Sequence, residues 1–126
     1  MIDLLGDTIT VKRKNDRREA DALAKVILAL SGHDAVAWCE RMNSGAVKIG
    51  NRFVRFGWKG CPDVIGQLKD GRFIGVEVKA PKGKLRPEQV IFLERIWVAG
   101  GVAFVARNCL DVIQELTNHN SMKGTK

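Results

Sequence analysis

Three observations predict that the chain folds as one α/β domain, a central mixed sheet flanked by helices. Its 126 residues suit a single domain and leave no room for two. Hydrophobic residues make up 45% and charged residues 28%, which is enough apolar material for a packed core and excludes global disorder. Helical and strand patterns alternate along the chain, in the order helix, three strands, a strand hairpin, helix, strand, helix.

The first 14 residues carry little pattern and end in the basic run Lys12-Arg13-Lys14, as an arm or a short strand would. Asn15 or Asp16 is placed to cap a helix that runs to about Leu30, before the Ser31-Gly32 break. Its apolar stripe is Ala20, Leu23, Val26, Ile27 and Leu30. Val36 to Arg41 is a strand candidate, and Asn43-Ser44-Gly45 a turn. Val47 to Ile49 and Arg52 to Phe56 flank Gly50-Asn51, a hairpin signal. After the loop Gly57 to Pro62 come a strand from Asp63 to Leu68, the turn Lys69-Asp70-Gly71, and a strand from Arg72 to Lys79. Ala80 to Arg86 is a basic loop. Pro87 suits the first position of a helix that ends at Gly100-Gly101. Val102 to Ala106 is a continuous apolar strand, and Asn108 caps a last helix to about Asn118, before a polar tail over Ser121 to Lys126.

The formal net charge of +7 favours a polyanionic partner, nucleic acid or an anionic membrane surface. Cys39, Cys61 and Cys109 are odd in number and widely spaced, so they form no disulfide framework, and His33 and His119 stand alone, so a structural zinc site has no support. With neither a secretory signal nor an apolar run long enough to span a bilayer, the chain reads as a cytosolic protein without a membrane partner.

The chemistry concentrates in Phe73 to Lys79. Alternation puts Ile74, Val76 and Val78 on one face, and Phe73, Gly75, Glu77 and Lys79 on the other. A salt-bridged pair on an edge strand would give the same spacing of Glu77 and Lys79, and a turn aspartate after proline would account for Asp63. The turn decides. If the loop is the three-residue Lys69-Asp70-Gly71, with Gly71 left-handed, Leu68 faces Arg72 and Asp63 falls directly opposite Glu77. If it is the two-residue Asp70-Gly71, the register shifts by one and Asp63 turns to the other face. In the first case two carboxylates lie side by side and need a cation or a proton. Oxygen ligands of this charge suit Mg²⁺ or Mn²⁺, with the Val78 carbonyl as a further ligand. Such an ion polarises a phosphodiester, and Lys79 is placed to stabilise charge on phosphoryl oxygens.

Gly60-Cys61-Pro62-Asp63 followed by Glu77-Val78-Lys79 resembles the PD-(D/E)XK nuclease pattern. The surrounding segments, Lys59 to Gly66, Val76 to Leu85, Pro87-Glu88-Gln89 and Gly100 to Ala103, resemble the virus-type replication–repair nuclease family, VRR-NUC, over roughly residues 16 to 113. The resemblance implies a restriction-endonuclease-like fold and a metal-dependent nuclease. Asp63 and Glu77 would be metal ligands and Lys79 the catalytic lysine. It also implies roles for Gln89 and for a carboxylate on the first helix. Gln89 lies one turn before Phe92, Leu93 and Ile96 and should face inward. Glu19 shares a stripe with Leu23 and is the preferred helix carboxylate, expected as a further metal ligand, with Asp16 the runner-up. Cys61, where an aliphatic or small residue is usual, and Arg86, where a hydroxyl residue is usual before Pro87, depart from the family pattern. Cys61 has no neighbouring His in sequence to make it a nucleophile.

Lys82, Lys84 and Arg86 follow the catalytic strand, while Lys48, Arg52, Arg55 and Lys59 lie on or after the hairpin. Together they are candidates for gripping DNA phosphates without reading sequence. The resemblance implies a homodimeric endonuclease acting on branched DNA such as four-way junctions. The competing readings are a nucleic-acid-binding module that keeps the nuclease fold without catalysis, and a small anion-binding structural protein.

Overall fold

In the computed structural model of the chain, residues 9–11, 17–42 and 45–124 are described. The elements are β1 (Ile9–Val11), α1 (Arg17–Ser31), β2 (Val36–Arg41), β3 (Gly45–Ile49), β4 (Arg52–Phe56), β5 (Val64–Leu68), β6 (Phe73–Val78), α2 (Pro87–Val98), β7 (Val102–Ala106) and α3 (Cys109–Gly124). The proposed caps Asn15 and Asp16 and the run Lys12 to Lys14 lie outside the described residues.

The central sheet has four strands in the order β2-β5-β6-β7, the first two pairings antiparallel and β6–β7 parallel. Parallel neighbours need a crossover, and α2 provides it. The expected mixed sheet with flanking helices is therefore present, but it does not take in every strand. β1, β3 and β4 form a separate antiparallel sheet in the order β1-β3-β4. This corrects the expectation of one sheet, and the reason lies in burial. The central strands carry helices on both faces. The β3–β4 hairpin instead leaves Lys48, Arg52, Phe53 and Val54 exposed, so it offers no strictly apolar face to insert into that sandwich.

The core sits on one face of the central sheet. Ile74, Val76 and Val78 of β6 join Val64 and Leu68 of β5, and Val102, Phe104 and Ala106 of β7. α1 and α3 cover them with Ala22, Leu23, Val26, Leu30, Val112 and Leu116. In α1 the buried stripe runs through Ala22, while Ala20 is exposed. Ala22 stands three and four residues from Glu19 and Val26, whereas Ala20 is about 100° off that line. Asn108 Oδ1 accepts the Asp111 N–H at 2.9 Å and caps α3 as expected. The helix then continues to Gly124, past the expected end at Asn118.

α2 covers the opposite face with Gln89, Leu93 and Ile96. It approaches closely because β6 offers Gly75 there. A Cβ on Gly75 would lie 2.6 Å from Ile96 Cδ1 and 3.0 Å from Pro62 Cγ. Glu77 shares this face and is only 2% exposed. Burying Ile74, Val76 and Val78 gains roughly 1.5–3 kcal/mol each, which offsets part of the several kcal/mol that taking a carboxylate out of water costs.

Candidate active site

The turn between β5 and β6 has three residues. Leu68 N–H donates to the Arg72 carbonyl at 2.8 Å, and Gly71 has φ +97°. Glycine pays no Cβ penalty for that conformation. Asp70 reinforces the turn, its Oδ1 taking the Arg72 N–H at 3.0 Å and its Oδ2 pairing with the Arg72 guanidinium at 2.9 Å. The register that follows pairs Gln67 with Phe73 and Val64 with Val76. One step further, Asp63 lies opposite Glu77, as the three-residue loop requires. Since Leu68 and Arg72 form a hydrogen-bonded pair, alternation makes Asp63 and Glu77 a non-hydrogen-bonded pair, the kind whose side chains come closer.

Pro62 stands next in register, against Val78. Having no N–H, it offers nothing to the Val78 carbonyl. The Val78 N–H donates instead to Asp63 Oδ2 at 2.9 Å, which holds the aspartate at the end of the β5–β6 pair. On the other side of β6, the Lys79 N–H donates to the Ala106 carbonyl at 3.2 Å, so the backbone beyond the strand stays anchored to β7.

Glu77 is the centre of the site. Its Oε1 accepts the Gln89 Nε2–H at 2.9 Å and lies 3.9 Å from Lys79 Nζ. Gln89 Oε1 in turn accepts the Arg86 N–H at 2.9 Å. That backbone donor fixes which end of the amide points where, so the Gln89 NH₂ must be the group that meets Glu77. Glu77 Oε2 is buried and meets no donor. Burial first, then the neighbouring Asp63 charge and the proton that the two carboxyls can share, push the Glu77 carboxyl up to about 9, with Glu19 adding to the rise and Lys79 opposing it. Without a cation the glutamate therefore holds a proton at neutral pH. The orphaned oxygen, the in-register aspartate and the carbonyl facing a proline are hard oxygen donors, the set that a divalent cation takes.

The family model of the VRR-NUC domain matches residues 10–108. The chain belongs to the VRR-NUC family. No curated protein and no solved structure matches the chain. This is a nuclease family, and DNA is the substrate that membership implies. The matched span holds Asp63, Glu77, Lys79, Gln89 and Glu19, and it ends at Asn108, where α3 begins.

Within this VRR-NUC domain the structure brings Asp63, Glu77, Lys79 and Gln89 together. Glu19, half-buried in the first turn of α1, is near enough to act on Glu77 by charge. Among the described residues no three His, Cys, Asp or Glu side chains group to hold a metal by themselves. Any ion here would need the Val78 carbonyl, water or substrate oxygens to complete its shell, as Mg²⁺ commonly does. Cys61 also borders the site. Burial, with the Glu77 and Asp63 charges behind it, pushes its thiol up to about 11, so it stays a protonated, inert neighbour.

The basic candidates divide. Lys82, Lys84 and Arg86 are exposed on the loop directly after Lys79, and Lys59 is exposed on the loop before β5. Arg86 Nε lies 3.7 Å from Glu88 Oε1, so part of its charge is spent locally. Arg52 is exposed on the second sheet, and Arg55 holds a β4 position opposite Ala46, its side chain outside the described residues. One residue that shapes the site's surroundings escaped sequence reasoning. Arg107 Nη1 donates to the Ala80 carbonyl at 2.6 Å and the Gly83 carbonyl at 2.8 Å, clamping the basic loop. Only the parallel pairing of Val78 with Ala106 sets Arg107 beside Lys79. Among the described residues, no helix is long and apolar enough to cross a membrane.

Proposed function

We propose that this VRR-NUC protein is a Mg²⁺- or Mn²⁺-dependent, structure-selective DNA endonuclease that hydrolyses phosphodiester bonds in branched DNA such as four-way junctions. The observation that carries the reading is Glu77 Oε2, a buried carboxylate oxygen without a donor, opposite Asp63 and beside Lys79. Asp63, Glu77 and the Val78 carbonyl are the ligands, and Glu19 adds negative charge from α1. When bound, such an ion neutralises the carboxylate pair and polarises the scissile phosphodiester. Lys79 presents its ammonium to the phosphoryl oxygens and lowers the energy of the charge that builds there. Gln89 holds Glu77 in one orientation, leaving Oε2 for the ion, and so acts as a positioning residue. Lys59, Lys82, Lys84 and Arg86 grip phosphates on either side of the bond, with Arg52 and Arg55 reaching further along the substrate. A homodimer would set two such sites on a branched, near two-fold substrate. The exposed apolar residues Val90, Ile91, Trp97 and Val98 on α2 are the patch that favours self-association.

The test is cleavage of four-way junctions, flaps, single strands and linear duplex with Mg²⁺ or Mn²⁺, with gel filtration for the oligomer. Junctions should be cut fastest and EDTA should stop the reaction. Lys79→Ala and Asp63→Asn should each lower the rate by on the order of 10³-fold with the fold intact. Cleavage in EDTA, or full activity in either variant, would refute the mechanism. Binding without cleavage under every condition would make the protein a non-catalytic module.

A further inference from the structure

A second feature lies on the same face of the domain. The loop before β5 exposes Trp58, 59% accessible, against α2. Its indole stacks on Phe92 with ring centroids 6.1 Å apart and planes 21° from parallel. Arg95 holds its guanidinium carbon 6.0 Å from the Phe92 ring. With Gly57 and Lys59 these residues line a cleft of about 530 Å³. The loop is held in place. The Trp58 carbonyl accepts the Cys61 N–H at 3.0 Å, and a Cβ on Gly60 would collide with the Glu88 carbonyl.

We propose that this cleft is a stacking site for an unpaired nucleotide of the DNA, its base on the indole of Trp58 and its flanking phosphates on Lys59 and Arg95. The proposal rests on the nuclease reading and names what that site selects. An exposed indole face flanked by two cations matches a base with its phosphates. A base between the two rings would need two stacking intervals of ~3.4 Å each, more than their spacing allows, so the base lies on the outer face of Trp58. Phe92 braces that indole from behind. Inside a duplex every base is already stacked on its neighbours. Only a branch, an end or a single strand has a free face to offer, so the site discriminates by DNA structure and not by sequence.

The position fits the chemistry. Gln89, which holds Glu77, and then Phe92 and Arg95 follow one another at three-residue steps on α2, each step rising ~4.5 Å. The stacked base therefore sits roughly one or two nucleotides from the carboxylates. The cleft's two cations would oppose their own copies, which argues against a second chain as the occupant.

The test measures binding in EDTA, where nothing is cut, using fluorescein-labelled dT10 and a blunt duplex as probes. The readout is the ratio of the two affinities. Trp58→Ala should lower the dT10 preference about 5- to 100-fold, and Trp58→Phe should recover most of it. Lys59→Ala and Arg95→Ala should each reduce the salt dependence of dT10 binding by about one phosphate contact. An unchanged ratio in Trp58→Ala overturns the proposal. So does an unchanged ratio accompanied by loss of a dimer in sedimentation, which would make the cleft a protein interface. Cleavage is read separately with Mg²⁺. A wild type that cuts DNA, with no ratio change in Trp58→Ala, fails the stacking site alone. A wild type that never cuts, yet loses its dT10 preference in Trp58→Ala, fails the nuclease reading alone and supports the stacking site.

Discussion

The two antiparallel hairpins of this domain, β3–β4 and β5–β6, begin from similar local chemistry and end in different roles. Each turns on a glycine with positive φ, Gly50 at 60° and Gly71 at 97°. The β3–β4 loop has two residues, with Ile49 paired to Arg52. The β5–β6 loop has three. The first hairpin leaves Phe53 74% exposed and, among the described residues, pairs with β1 alone. The second is enclosed by helices on both faces, and its alternation drives Glu77 into the interior. A register is cheap to change where both faces meet water. It is costly where one face is core and the other holds a charge.

The largest test of that difference alters loop length. Deleting Asp70 should shift β5 against β6 by one residue, turn Asp63 away from Glu77, abolish cleavage and cost on the order of 3–5 kcal/mol. Inserting one glycine between Gly50 and Asn51 should cost less than ~1 kcal/mol and leave cleavage near the wild-type rate. Urea unfolding and a cleavage assay read both. Equal effects from the two changes would erase the distinction.

A second test concerns pH. The folded Glu77 carboxyl is raised to about 9 from its ordinary 4.5, chiefly by burial. The metal-free folded state therefore keeps a proton that the unfolded chain has lost. Stability should be full below the ordinary carboxyl range and fall as pH rises toward 9, with a slope approaching about 1.4 kcal/mol per pH unit. Glu77→Gln, which mimics the protonated form, should flatten that slope in thermal melts. Added Mn²⁺ should raise the wild-type melting temperature more at pH 8 than at pH 6, because binding displaces the proton. A wild-type melting temperature independent of pH would show that Glu77 is not desolvated.

The smallest effects come from the turn glycines. Gly71→Ala meets no steric neighbour, so its cost is backbone strain alone, roughly 1–3 kcal/mol in global unfolding. Gly50→Ala carries comparable strain, but it should appear as faster amide exchange confined to β3 and β4, with little change in the global transition. A loss of global stability as large as that of Gly71→Ala would tie the outlying sheet to the core more tightly than its exposure implies.

Much of the site was legible before the fold was known. Period-two alternation separated Ile74, Val76 and Val78 from Glu77 and Lys79. The Lys69-Asp70-Gly71 turn offered the register that sets Asp63 opposite Glu77, and the spacing to Phe92, Leu93 and Ile96 turned Gln89 inward. These are properties of a few adjacent residues, governed by sterics and turn chemistry. The alternative two-residue register could not be discarded locally, since Asp70-Gly71 is itself a good hairpin turn. Leu68 pairing with Arg72 in the folded sheet removes it.

The sequence by itself determined most of the elements, the two faces of β6 and the placing of Glu77 with Lys79 on one of them, because periodicity acts over short distances. Only the tertiary structure decided which strands share a sheet, that Pro62, which has no N–H, stands next to Asp63 in the register against Val78, and that Arg107 stands beside Lys79. It alone set Trp58 against Phe92 and left Glu77 Oε2 without a donor. Those outcomes depend on what packs against each surface from far along the chain, and burial, which raises the cost of every unpaired charge, is a property of the assembled layers.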